Sequence, residues 1–201
     1  MNYLMFNGVK YKLVAEEVEE NRCVDNGSIE LHNIKEEEIC KIGDKEFIVC
    51  EHTDEGTVLL MKECLYDNEN FGSNNNYNGS NVDELCEKFA EELAKVVGAE
   101  NILTHTVDLT ADDGLRDYGT IERRVSIFTA NQCRKYVDIL DKYRLDKWVW
   151  TATAYSTPKH DDDCWVKCVA PSGNVYDDNC NDGDFGVRPF CILKSNIFVS
   201  K

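Results

Sequence analysis

Trp148-Val149-Trp150-Thr151-Ala152-Thr153, answered near the C-terminus by Gly186-Val187-Arg188-Pro189-Phe190-Cys191-Ile192-Leu193, is the sequence that decides the fold. Both stretches are rich in aromatic and β-branched residues, which suit a pleated, half-buried surface. Trp148 and Trp150 stand two apart, so on a strand they share a face, predicted to be the core face. Between the two stretches, Trp165-Val166-Lys167-Cys168-Val169 and Asn174-Val175-Tyr176 flank Pro171-Ser172-Gly173 and read as a hairpin. Residues 197–200 add a last short strand. Gly186 opens the closing motif and Pro189 fixes the chain direction at the edge of the next strand.

Working outward, Val82, Leu85, Cys86, Phe89, Leu93, Val96 and Val97 recur at helical spacing and predict one buried face. Ser80 is the expected cap, Asp83 and Glu84 suit the positive end of the helix, and Gly98 stops it. A second helix is expected from Thr129, turning Cys133, Tyr136, Val137 and Leu140 inward. Residues 42–52 and 57–62 read as two β runs joined by an Asp/Gly turn, and residues 68–81 as a long polar loop. Phe6-Asn7-Gly8-Val9 suggests a hairpin turn, acidic residues follow at 16–20, and Ile29, Leu31 and Ile34 alternate as in a strand. The predicted organisation is therefore a small N-terminal β unit over 1–38 and a larger domain over 39–201. The former is a candidate attachment or oligomerisation element.

The formal net charge of -16 argues against a nucleic-acid partner, because neutralising phosphates takes clustered Lys and Arg. No window reaches transmembrane length, so no membrane insertion is expected. No basic leader followed by an apolar run opens the chain, which predicts synthesis and retention in a reducing cytosol, or carriage on a virion surface. Ten cysteines then need a role other than a disulfide framework. Cys50 and Cys191 fall inside apolar runs, where a free thiol acts as a small hydrophobe. Cys164, Cys168, Cys180 and Cys191 contain no CxxC pair, so a zinc site is disfavoured.

The string formed by residues 148–153, Ser156-Thr157-Pro158, Ser172-Gly173-Asn174-Val175 and the closing Gly186-Val187-Arg188-Pro189 resembles a family of phage and prophage domains of Firmicutes bacteria. The resemblance reaches upstream through residues 42–49 and 106–115 and covers roughly residues 40–201. It implies an α+β, C-type-lectin-like fold, shared with formylglycine-generating enzymes and with the variable proteins of diversity-generating retroelements. That fold would carry two helices and a β-rich C-terminal half, and in it Arg188 of the closing motif is expected to brace the loops from beneath through its five donors. In this sequence Val149 interrupts the family's tryptophan pair, and Ala154 stands where a proline is usual.

The resemblance implies display loops at 154–165 and 176–185 on a rigid scaffold, a common arrangement for binding. The residues expected to meet a protein or cell-surface ligand are Tyr155, His160, Asp161, Asp162, Asp163, Trp165, Tyr176, Asp177, Asp178, Asn179, Asn181, Asp182, Asp184 and Phe185. Most of them can be reached from an Asn codon by changing adenines alone, as retroelement diversification requires; the same runs also read as ordinary solvated acidic loops. No cofactor is assigned. Calcium is the alternative, since the aspartates are hard oxygen donors, but no EF-hand spacing occurs. The four histidines lie in no catalytic motif, so no enzyme is expected. A virion attachment component and a calcium-dependent lectin are the competing functions.

Overall fold

The computed structural model describes residues 3–6, 9–12 and 27–201. The N-terminal pair is β1 (Tyr3–Phe6) and β2 (Val9–Lys12), antiparallel with Phe6 opposite Val9. The turn at Asn7-Gly8 and the acidic run at 16–20 lie outside the described residues. Next come β3 (Ser28–Glu30), β4 (Ile39–Ile42), β5 (Lys45–His52), β6 (Thr57–Met61) and β7 (Tyr66–Glu69), then helix α1 (Asn81–Val97). They are followed by β8 (Ile102–Leu103), β9 (His105–Asp108), β10 (Thr120–Arg123), β11 (Val125–Ile127), α2 (Ala130–Lys135) and α3 (Val137–Lys142). The C-terminal part is β12 (Val149–Ala154), β13 (Trp165–Val169), β14 (Val175–Asn179), β15 (Phe185–Val187), β16 (Pro189–Leu193) and β17 (Phe198–Ser200). The fold is mixed α+β, mostly β.

Two large sheets organise it, in addition to the two-stranded pairs β1-β2 and β9-β10. The larger runs β11-β16-β6-β5-β4-β17-β3, with β8 also on β16; the smaller runs β14-β13-β12-β15-β7. The segment 28–34, read in the sequence with the N-terminal unit, packs into this body. β3 pairs with β17, Leu31 begins a 3-10 turn, and Leu31 and Ile34 lie in the main core.

Alternation along β5 and β6 explains the layering. Phe47, Val49, Leu59 and Met61 join the core that holds Phe89 of α1 and Trp150 of the smaller sheet. Ile48, Cys50, Val58 and Leu60 face the opposite way, onto Phe128, Cys133, Tyr136 and Ile139 beside α2 and α3. A sheet covered on both faces needs continuous apolar runs, which residues 47–50 and 58–61 supply. The run read as one strand from Ile42 splits at Gly43, whose φ of 60° turns β4 into β5.

Helix α1 begins as its sequence implies, with the Ser80 hydroxyl accepting from the Asp83 amide and Gly98 ending it at φ 86°. Val96, however, is exposed at the last turn. The second predicted helix is two short ones. Thr129 and Gln132 form a reciprocal capping box, but the chain breaks at Tyr136. That break turns Tyr136 onto Phe128, at 5.2 Å between ring centroids, and its hydroxyl onto Glu51, while Val137 is left exposed rather than inward.

His105 gives the fold a pH signature. Its ring lies tilted against Phe190, 4.6 Å between centroids, Nε2 shares a hydrogen bond with Ser126, and Nδ1 is buried without a partner. Burial lowers its pKa to about 4. The unfolded chain, with an ordinary imidazole near 6.5, then binds a proton that the native state refuses. Stability from this residue is complete above pH ~6.5 and is lost as pH falls towards about 4, by roughly 2–3 kcal/mol. Urea unfolding at pH 7 and pH 4.5 should show a steeper acid loss for the wild type than for His105→Asn. Equal losses would refute the assignment.

Candidate functional site

The smaller sheet builds the site. β13 pairs with β14 so that Trp165 opposes Asn179, Lys167 opposes Asp177 and Cys168 opposes Tyr176. β12 meets β13 with Trp150 opposite Cys168 and, after a bulge, Ala154 opposite Val166. Side chains alternate between faces. Trp150, Val166 and Cys168 therefore point into the main core, and Trp165, Lys167 and Val169 point to the other face. Val169 packs against the cluster that holds Cys133 of α2 and Ile139 of α3, which covers that end of the face. The opposite end is open.

At the open end Tyr155 and Trp165 stand side by side, 46% and 44% exposed, joined by the Tyr155 amide donating to the Trp165 carbonyl at 2.8 Å. Beneath them the buried Lys167 ammonium lies 3.2 Å from Asp177, 3.5 Å from Asp112 and 5.5 Å from the centre of the Tyr155 ring. Burial opposes ionisation of Asp112, yet Arg134 and Lys167 outweigh it and hold its carboxyl below the usual range. A cation locked between two carboxylates and under an aromatic ring stiffens the floor of the patch.

The loop 154–165 is fixed by buried polar partners. Asn75, fully buried, donates to the carbonyls of Ser156 and Trp165 at 3.2 Å and accepts from the Tyr118 hydroxyl at 2.6 Å. Ser156 donates to Asp113 at 2.6 Å, and Nδ1 of His160 lies 3.0 Å from the same carboxylate oxygen. The Ser156 hydroxyl, with the Leu115 amide and His160, lowers the pKa of Asp113. Thr157 donates to Asp117, and Asp162 accepts from the Cys164 and Trp165 amides. Asp161 takes the left-handed conformation, φ 56°, at the end of the 3-10 turn over residues 158–160.

The second run is less of a loop than its composition suggests. β14 continues through Asn179, Cys180 is buried, and only the turn at 181–184 is irregular. There Asn179 accepts from the Asn181 amide and Asp182 from the Asp184 amide. Tyr176 is exposed but sits on the face opposite Trp165, edge-on to Trp148 at 5.6 Å. Asp178 shares that face. Phe185 is buried, its ring stacked 3.8 Å from Trp150, so it belongs to the core and not to a ligand surface. Trp148, expected in the core with Trp150, is only half-buried and precedes β12.

The structure thus gathers Tyr155, Trp165, Asp177 and Asn179 on one face, with His160, Asp161 and Asp163 along the rim of the preceding loop. Tyr176, Asp178 and Phe185 stand apart from them. Asn75, Asp112, Asp113 and Lys167, to which the sequence assigns no site role, complete the patch. No local pattern in the sequence marks them, because their roles come from long-range pairing. Among the described residues, no group of three or more His, Cys, Asp or Glu is gathered to hold a metal ion. All the described cysteines are free thiols; burial pushes Cys50 and Cys168 up to about 12.

Arg188 is a brace, though not of the display loops. Buried at 6% exposure, it donates from Nε to the Met61 carbonyl and from Nη2 to the carbonyls of Lys62 and Tyr143, at 2.7–3.2 Å. It ties the end of β6 to the end of α3. Gly186 passes so close to Cys64 that an added Cβ would lie 2.4 Å from its sulfur. No described helix is long and apolar enough to cross a membrane. Compared with protein-family models, curated proteins and solved structures, the chain matches none.

Proposed function

We propose that this chain is a ligand-binding display protein of C-type-lectin-like fold, akin to retroelement variable proteins of phage and prophage, and not an enzyme. It binds a protein or cell-surface ligand through the patch around Tyr155 and Trp165. The observation that carries the reading is the exposure of two neighbouring aromatics on a loop whose backbone is clamped by buried Asn75. Rigid amphipathic aromatics deliver large contact area at small entropic cost, and they dominate binding energy at interfaces. Asp161 and Asp163 give the rim an acidic character that selects the partner by charge.

Arrays of glycans and of host surface proteins, probed with the wild type and with Tyr155→Ala/Trp165→Ala, test the reading. Signals should fall about tenfold or more in the double variant. Equal signals would place binding elsewhere. Insensitivity of the surviving hits to a chelator would dispose of the calcium-dependent lectin. Diversification has its own test at the gene, where a nearby reverse transcriptase and a template repeat matching residues 150–190 are expected.

A further inference from the structure

On the covered part of the same sheet face lies a cavity of about 40 Å³, walled by Leu60, Phe128, Leu140, Val149 and Val169. Three cationic residues, Arg144, Lys147 and Arg188, also line it, and no acidic residue does. In a chain with 38 acidic and 22 basic residues that is the reverse of the general balance. Arg144 is neutralised by Asp141 and Lys147 by Asp67, each at 2.7 Å. Arg188 has no such partner. Its Nε and Nη2 are held by three carbonyls, and among the described residues nothing bonds to Nη1. Burial lowers its pKa below the ordinary guanidinium value, and the opposing pull of Glu63 and the nearby thiols does not offset it.

We infer that this cavity is a binding site for a small monocarboxylate of acetate size, its carboxylate on Nη1 of Arg188 and its methyl end against the apolar wall. Size sets the class: a water needs roughly 10–15 Å³ of such space, so about three or four heavy atoms fit. Charge sets the head group, because a guanidinium pairs best with a planar carboxylate. The apolar wall offers no partner for a polyol and makes a doubly charged anion costly to dehydrate. The site is separate from the Tyr155 patch and does not depend on its role.

Calorimetry and thermal melting of the full chain with sodium formate, acetate, butyrate and hexanoate, against chloride at matched ionic strength, test this. Formate and acetate should bind one per chain and raise Tm saturably. Butyrate and hexanoate, too long for the space, should do neither. Arg188→Met should weaken binding about a hundredfold. Since that variant also loses a brace, Ala170→Val provides the second arm: Ala170 lines the cavity, and the larger side chain should weaken binding at least about tenfold while Arg188 stays in place. Absence of saturable binding by both formate and acetate, an equal effect of chloride, or unchanged affinity in Ala170→Val would each overturn the proposal.

Discussion

Trp150→Ala should lower the unfolding free energy by about 3–5 kcal/mol, a large part of the ~5–15 kcal/mol that holds a typical domain. Trp150 is 1% exposed, stacks on Phe185 at 3.8 Å and meets Phe71 edge-on at 5.6 Å. Its indole donates to the Glu69 carbonyl at 2.9 Å, so one side chain ties β12, β15 and β7 together. Truncation leaves a cavity between those strands and an unpaired carbonyl. Trp165→Ala, removing the same ring from an exposed position on the next strand, should cost within about 0.5 kcal/mol. Urea denaturation of both variants, read at the midpoint with unchanged m, checks the contrast. Comparable losses would mean that Trp165 is a core residue and that the patch is misassigned.

That contrast also shows how far the sequence reaches. The strands around Trp150, Val166 and Phe190 are legible because a half-buried or doubly buried strand imposes a local apolar pattern. α1 is legible for the same reason and because Ser80 and Gly98 mark its ends. The split at Tyr136 is not, since it follows from where Phe128 and Glu51 sit in space. Nor does composition distinguish Phe185, which enters the core, from Tyr176, which stays outside.

The candidate site divides in the same way. Tyr155 and Trp165 can be picked from the sequence as amphipathic aromatics beside polar runs. That they touch is set by a bulge in β12 and by the pairing of β12 with β13. Asn75 lies in a polar, Asn-rich stretch that resembles any solvated loop, yet it is fully buried. Its amide bridges the Ser156 and Trp165 carbonyls of one loop, a demand visible only after the fold has formed. Arg188 was legible as a brace, but its partners Met61, Lys62 and Tyr143 are distant in sequence.

Asp83→Ala is expected to destabilise the chain by about 3 kcal/mol, although Asp83 touches neither proposed site. The carboxylate is 3% exposed and receives Nε and Nη2 of Arg123 at 2.8 and 2.7 Å, while the Gly79 amide donates to it at 2.9 Å. This fork joins the first turn of α1 to the end of β10. Alanine would strand a largely dehydrated guanidinium whose remaining acid, Glu87, lies at 3.5 Å and is half-exposed. Breaking a buried pair costs more than never having it, because the orphaned charge keeps its desolvation penalty. Asp83→Ala/Arg123→Met should therefore recover a substantial part of the loss, and a double-mutant cycle measures how much. Additive losses from the two single changes would show that the pair is not coupled and that α1 is anchored by its apolar face alone.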